Sequence, residues 1–477
     1  MNAFAQNLLN KDAWSGLMMG NHALVRAMIE AGTMVVTAYP GSPTPEIAEA
    51  IEIIPEDKRP LHFQWCTNEK VALEVAFGAS INHHLSTVFF KSVGLNVALD
   101  SAVQLSLLDL TGGMVIVIGD DPGANSSQNE QDNRYIARLA GIPMLEPGTP
   151  TEVHRMYKSA VELSQRLKMP VLLRLTTHVC HAREVVQFDE LPEHSFDWTP
   201  RYQAKGLEYW PITANVFPLK RRMLAKLAAV KKEADASPLN EITRGGDSCS
   251  RGIITHGLPA YAVYECLDQT SAEVDVLKLG ITHPLPAGRV LEFLKSHDEV
   301  LVLEELDPIL EREIKALAFD EKVGTEIRNR PEVEHLMHEF TPERTWNLLA
   351  QVWPGLFEAR PAPPEPEEEV SPRLAQMCPG CGHRSAFFAI RELIEEEYEN
   401  AITVADIGCH SLGSMEPYEM GTVLLCMGHS NGTGAGMSIG NSERPVITFI
   451  GDSTFYHAGL PAIINAIMHN HNLTLVV

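Results

Sequence analysis

The chain has 477 residues, more than one hydrophobic core organises, so about two to four domains are expected. Its 45% apolar and 21% charged residues match a soluble globular protein, while a formal charge of −24 argues against a general nucleic-acid binder, which needs a basic surface. On so acidic a protein, small anions have to be held by local dipoles and a few basic groups.

The N-terminus "MNAFAQNLLNKDAWSGLMMGN" lacks a basic region followed by an apolar block, and no run of about 18 apolar residues occurs, so no membrane span is predicted and the chain is expected to be cytoplasmic. From about residue 16 to 185, strands alternate with helices: "TMVVTAYPGS" reads as strand and turn, "NEKVALEVAFGAS" as helix, "STVFFKS" as strand, "GMVIVIGDDPG" as strand and loop, and "MPVLLRLTT" as strand. That alternation predicts a parallel sheet with helices on both faces and ligands beyond the carboxyl ends of the strands. Residues 190–246 are irregular, with "PLKRRMLAKLAAVKKEADAS" expected to be a solvated helix.

A second α/β unit runs from "SRGIITHG" through "VDVLKLG" and "EVLVLEEL"; it carries no GxGxxG or GxxxxGK[ST] signature, so a structural or interfacial role is expected. The run "EARPAPPEPEEEVSP" predicts an extended, self-repelling linker. A third α/β unit begins at "AQMCPGCGHRSAFFAIRELIEEEYE". The expected division is therefore 1–195, a connector at 196–246, 247–345, a Pro/Glu linker at 346–372, and 373–477.

Several residues could carry chemistry. In "RPVITFIGDST" a strand leads to a turn that places Asp452 beside the start of a helix, where a carboxylate can hold Mg²⁺, and Gly451 would let a diphosphate approach the backbone. An Asp capping a helix would read the same way. Glu69 follows a candidate cap, Thr67 or Asn68, on a helix whose Val71, Ala72, Val75, Ala76 and Ala79 are expected to form an apolar face. Ser42 lies in the turn "YPGSPTPE", where a hydroxyl and turn amides could bind a carboxylate, and "GDDPGANSSQNEQDNR" is a polar loop at another strand end.

Eight cysteines in such a chain point away from a disulfide framework. Cys378 and Cys381 form CPGC and Cys409 follows a strand, a spacing that suits either iron–sulfur or zinc, each wanting four ligands. Cys426 lies in an apolar run and reads more as core than as a fourth ligand. Cys66, Cys180, Cys249 and Cys266 are scattered and read as structural.

Taken together, "GNHALVRAMIEAGTMVVTAYPGSPTPEI", "NEKVALEVAFGAS", "KSVGLN", "DDPGANSSQNEQDNR", "CPGCGHR", "DIGCHSLG" and "GDSTFYHAGLPAIINA", in that order, resemble the 2-oxoacid:ferredoxin oxidoreductases, most closely their indolepyruvate-type α subunits. The resemblance implies an α/β protein with several doubly wound parallel-sheet domains of the thiamine-diphosphate-enzyme type. It makes 1–195 pyrimidine-binding, 247–345 transketolase-C-terminal-like, and 373–477 diphosphate-binding and incomplete at its end, with a second ligand beyond Val477. The implied activity is oxidative decarboxylation of a 2-oxoacid, such as indolepyruvate, to an acyl-CoA with electrons passed through iron–sulfur to ferredoxin.

Residue by residue, the resemblance makes Glu69 the acid that activates thiamine diphosphate. It places Gly451, Asp452 and Ser453 at the cofactor with Asp452 on Mg²⁺, and Tyr39 and Ser42 at the substrate, Ser42 with a catalytic share. Cys378, Cys381 and Cys409 become thiolates of a [4Fe–4S] cluster, with coenzyme A as co-substrate. A small β/γ-type partner subunit, ferredoxin and dimerised cofactor domains in a hetero-oligomer are implied, with no nucleic acid and no membrane. The chain departs from the pattern at Gly382, where relatives have proline, at Asn125, where they have histidine, and in lacking a CxxCxxC-rich ferredoxin-like segment. Another 2-oxoacid, a non-oxidative decarboxylase and a non-catalytic scaffold are the competing readings.

Overall fold

Apolar, β-branched runs pair side by side to make a seven-stranded sheet in the order Ile281–His283, Met144–Leu145, Pro170–Thr176, Met114–Asp120, Ser86–Lys91, Val35–Ala38 and His62–Trp65. All neighbours are parallel except Ile281–His283, which runs antiparallel to Met144–Leu145. Side chains alternate across the sheet: Val115, Val117, Val171 and Leu173 enter the core on one face, and Met114, Ile116, Ile118 and Leu172 the core on the other. Both faces being covered, every residue of Met114–Asp120 and Pro170–Thr176 is buried, the condition that makes such strands continuous apolar runs.

The computed structural model describes residues 1–193, 197–203, 206–246, 249–360, 375–398, 400–441 and 443–477. The chain divides into two units, Met1–Pro361 and Ala362–Val477. The first unit holds the seven-stranded sheet and a second sheet ordered Glu326–Arg328, Glu299–Leu303, Arg251–His256, Asp275–Leu279 and Glu241–Thr243, parallel but for the last pair. Ile281–His283 follows directly on Asp275–Leu279, so the chain of the second sheet supplies an edge strand to the first.

Buried charge also links the parts of this unit. Arg134 Nη1 is 2.6 Å from Glu304 Oε2 and Nη2 is 2.7 Å from Asp132 Oδ2; Nη2 also donates to the carbonyls of Glu305 at 2.6 Å and Asp307 at 2.9 Å. Close by, Arg174 bridges Asp120 at 2.5 Å and Glu146 at 2.6 Å. Burial pushes the neighbouring Glu305 carboxyl up to about 8.

Three expectations change. The basic helix expected to be solvated, Val216–Asp235, buries Leu219, Met223, Val230 and Ala234, and its first two pack on Leu107 and Leu108; Lys220, Arg221, Lys231 and Lys232 are exposed, whereas Arg222 and Lys226 turn back to Asp109 at 3.2 and 2.7 Å. The linker expected from 346 does not begin there, because Pro342–Val352 is a helix and Trp346, Leu349, Trp353 and Phe357 join a core with Ile253 and Leu301. The rest of that expected linker falls mostly on residues 361–374, outside the described residues. Finally, Glu69–Ile81 buries Glu69, Ala72, Leu73, Ala76 and Ser80; of the expected face Ala72 and Ala76 are buried, Val75 and Ala79 are half-buried and Val71 is 37% exposed, so the inward face is rotated toward Leu73 and Ser80.

The second unit has a parallel sheet of Ile402–Val404, Val446–Phe449 and Thr474–Val476, with helices Gly382–Glu397, Ser430–Ser438 and Leu460–Met468 and a core of Met377, Phe387, Met420, Ile447 and Phe449. Among the described residues no helix is long and apolar enough to cross a membrane.

Candidate functional site

In the first unit, four neighbouring strands deliver the candidate residues at their carboxyl ends. Val35–Ala38 leads to Tyr39 and Ser42, His62–Trp65 to Glu69, Ser86–Lys91 to Gly94, and Met114–Asp120 to the 120–134 loop. Glu69 opens its helix because Asn68 caps it, accepting a hydrogen bond from the Val71 amide at 2.8 Å. The Glu69 side chain is buried, and it packs against Gly94: a Cβ at 94 would lie 2.6 Å from Glu69 Cγ and Oε1. Tyr39 is buried nearby, and burial, then the Glu69 charge, pushes its phenol up to about 12, so it remains a neutral hydroxyl. Ser42 is exposed on its turn.

The polar loop is organised from Asp121, which sequence reasoning did not single out. Its carboxylate accepts from the Ser126 amide and the Ser127 hydroxyl, each at 2.8 Å, from Thr177 Oγ1 at 2.7 Å and from Asn125 Nδ2 at 3.2 Å. Burial opposes its charge, but these donors outweigh burial and lower its pKa. Gln131 ties the loop to the next strand end, donating to the Ser92 carbonyl at 3.3 Å and to Asn96 Oδ1 on the following helix at 2.9 Å, and within the loop to Asn133 Oδ1 at 2.7 Å. Asp121 carried one legible signal, its place as the first residue beyond a buried strand.

Because Gly94 makes room for the buried Glu69 side chain, Gly94→Ala should displace the carboxylate at a stability cost of about 1 to 3 kcal/mol. A displacement near 1 Å lowers turnover about 100-fold. Parallel thermal melts and turnover assays check this, and full activity in the alanine variant would show that Glu69's position is immaterial.

In the second unit, Asp406 takes the organising role. Fully buried at the end of Ile402–Val404, it accepts from the amides of Ile407 at 2.8 Å, Gly428 at 2.7 Å and Ser430 at 2.9 Å, tying together "GCHSLG" and the start of Ser430–Ser438. Gly408, at φ 150°, is required here, since a Cβ would lie 2.8 Å from His410 Cε1. His410 is buried, its Nε2 has no hydrogen-bond partner, and burial lowers its pKa despite the nearby Asp406. A cavity of about 350 Å³, lined in part by Cys381, His383, Phe387, His410 and Phe449, opens beside it.

At Gly451 a Cβ would make only an ordinary 3.4 Å contact with His410, so packing alone does not demand glycine there. Asp452 and Ser453 are exposed at the strand end, and Thr454 Oγ1 donates to the Ile407 carbonyl at 3.2 Å. Orphaned buried donors or acceptors at His410 Nε2 and Ser430 Oγ, beside glycines and an exposed carboxylate, fit a bound diphosphate.

The cysteines behave differently. Among the described residues no group of three or more His, Cys, Asp or Glu side chains is arranged to hold a metal ion. Cys378 and Cys409 are exposed, and Cys381 Sγ lies 3.2 Å from His383 Nδ1. The expected trio is thus not gathered into a ligand set, and a [4Fe–4S] cluster does not fit these cysteines as they stand. For Mg²⁺ this absence is no conflict, because that ion takes one or two carboxylates and completes its shell with water and phosphate. Cys426, expected to be a core residue, is exposed along with Leu424 and Leu425.

Comparison with known proteins gives concordant matches. Residues 26–225 match the family described as "Pyruvate flavodoxin/ferredoxin oxidoreductase, thiamine diP-bdg", and residues 406–477 match "Thiamine pyrophosphate enzyme, C-terminal TPP binding domain". The indolepyruvate oxidoreductase subunit IorA of Methanothermobacter thermautotrophicus is 39% identical over 469 residues, covering 96% of this chain and 74% of that protein. Its namesake from Pyrococcus horikoshii is 35% identical over 492 residues, covering 98% and 75%. Among solved structures, the 2-oxoglutarate:ferredoxin oxidoreductase of Magnetococcus marinus aligns with a TM-score of 0.56 at 17% identity over 72% of this chain and 65% of that one, a likeness of fold.

Proposed function

The chain belongs to the 2-oxoacid:ferredoxin oxidoreductases, and from that premise we propose that it is a thiamine-diphosphate-dependent α component that decarboxylates an arylpyruvate such as indolepyruvate. The products in this reading are CO₂ and an acyl-CoA, with electrons passed by way of a small β/γ-type partner subunit to ferredoxin. The observation that carries it is the buried Glu69 carboxylate at the head of its helix, for which Gly94 leaves the space.

When bound, thiamine diphosphate supplies the electron sink that decarboxylation needs. Glu69 holds and moves a proton at its carboxylate, which burial and the adjoining neutral Tyr39 hydroxyl keep away from bulk water. Tyr39 and Ser42 orient the oxoacid at the neighbouring strand end. In the other unit, Asp452 would hold Mg²⁺, Gly451 and Ser453 would receive the diphosphate, and His410 and Ser430 would offer it their unpartnered atoms. Assigning Cys378, Cys381 and Cys409 to a [4Fe–4S] cluster rests on their sequence spacing alone, and the CPGC turn would have to rearrange around iron. A second reading is decarboxylation without a cluster on this chain.

The test is anaerobic co-expression with the partner subunit, followed by indolepyruvate-dependent reduction of ferredoxin with thiamine diphosphate, Mg²⁺ and coenzyme A. Acceptor reduction with acyl-CoA formation is expected; CO₂ release with no reduction would favour the second reading. Asp452→Ala should weaken thiamine diphosphate binding at least about 10-fold in calorimetric titration with Mg²⁺. Undiminished affinity would remove Asp452 from the cofactor site.

A further inference from the structure

We propose that Lys91 is the cation that receives the carboxylate of the 2-oxoacid. The inference rests on the reading of these strand ends as a 2-oxoacid site and adds to it the group that recognises the acid. An anionic substrate approaching a protein of charge −24 is repelled by the overall field, and the strand ends themselves present Glu69 and Asp121. A local positive charge is needed to hold it.

Lys91 is placed to supply that charge. It ends its strand opposite Gly119, and its stem runs along the backbone of the Ser42 turn: a Cβ at Gly41 would lie 2.8 Å from Lys91 Cβ and 3.2 Å from Cδ. Three residues on, Gly94 meets Glu69, so the segment 91–94 spans from the Ser42 turn to the buried carboxylate. The ammonium donates to the Ser126 carbonyl in the polar loop, leaving two N–H donors. Among the described residues it has no ion-pair partner within 4.0 Å, whereas the other cations of this sheet edge, Arg134 and Arg174, are committed to buried carboxylates.

Half-buried and only distantly compensated by Asp121, the Lys91 ammonium is lowered in pKa chiefly by burial. An arriving carboxylate supplies the missing counter-charge in a partly dry setting, where a charge-assisted hydrogen bond is strong. The arrangement suits a monoanionic oxoacid whose carboxylate lies at the Ser42 turn and whose keto carbon faces Glu69.

The test uses the full chain with its partner subunit and a probe that binds without reacting. Calorimetric titration with 3-indolepropanoate, which keeps the carboxylate and lacks the keto group, is compared with titration by the neutral indole-3-propanol. Lys91→Met should weaken the acid about 10- to 100-fold, the range for removing one partner of a charged hydrogen bond, and leave the alcohol unchanged. Lys91→Arg should retain the acid within about threefold of wild type, which separates lost charge from lost folding.

Equal loss of acid and alcohol, loss of thiamine diphosphate affinity in parallel, or no change at all would overturn the assignment. Wild-type protein that turns over 2-oxoacids while Lys91→Met binds the acid normally removes Lys91 alone. Wild-type protein that neither binds the acid nor turns over any 2-oxoacid removes the function and Lys91's role together.

Discussion

Replacing Glu69 by glutamine is expected to lower 2-oxoacid-dependent turnover by about 100- to 10,000-fold, the range for a positioned proton-transfer group. Glutamine has the same shape and can occupy the same space beside Gly94, so neither the Asn68 cap nor the helix Glu69–Ile81 loses packing. What disappears is the carboxylate's capacity to hold and release a proton. Thermal stability and thiamine diphosphate affinity are therefore expected to stay near wild type while turnover collapses, a separation read by calorimetry and a steady-state assay on the same preparation. A variant that turns over at the wild-type rate would remove Glu69 from the chemistry. Loss of fold instead would mean that the charge serves the helix N-terminus, where an acidic side chain is favoured by the dipole alone.

The largest stability effect is expected at Arg134. Its guanidinium is completely buried and meets Asp132, Glu304 and the carbonyls of Glu305 and Asp307. Arg134→Ala would leave those buried acceptors unanswered, and removing one partner of a buried pair costs about 3 to 5 kcal/mol. The first unit should melt earlier in calorimetry, with hydrogen exchange quickened in Arg134–Ala140 and beside Glu304, which the guanidinium joins.

Acid acts on the same network. Burial opposes ionisation of Asp132, yet Arg134 outweighs it and holds its carboxyl below the usual range; Glu146 is likewise held well below by His256 and Arg174. Groups whose native pKa is depressed contribute stability above their unfolded value, near pH 4, and lose it as the pH falls toward the native value. Acidification below about pH 4 should therefore destabilise wild type more steeply than Arg134→Ala, whose Asp132 has already lost its partner. Superimposable acid profiles, or an unchanged melting temperature at pH 7, would show that the guanidinium is dispensable.

Much of the architecture was legible because its signals are local. A fully buried parallel strand has to be a continuous apolar run, so Met114–Asp120 and Pro170–Thr176 announce themselves, and a cap such as Asn68 acts within three residues of Glu69. Two of the places where local pattern misled have one cause. In Val216–Asp235 the basic residues stand out in the string, yet Leu219, Met223, Val230 and Ala234 are buried and Arg222 and Lys226 turn back to Asp109; in Glu69–Ile81 the small apolar residues outnumber what the sheet can cover, so which of them turn inward depends on the neighbour rather than on the period.

By itself the sequence determined the class of fold, the central strands Val35–Ala38, Ser86–Lys91, Met114–Asp120 and Pro170–Thr176, the family, and the identity of Glu69, Ser42 and Asp452 as candidates, because each depends on residue type and spacing along the chain. Tertiary structure alone decided which of these share a sheet edge, that Lys91 lies against the Ser42 turn, that Gly94 makes room for Glu69, that Asp121 and Asp406 organise their loops, and that Cys378, Cys381 and Cys409 are not gathered into one ligand set. The physical reason is range. Capping and strand periodicity act over a few residues, whereas contact between positions 41 and 91, or 69 and 94, exists only once parallel pairing has set the strands side by side.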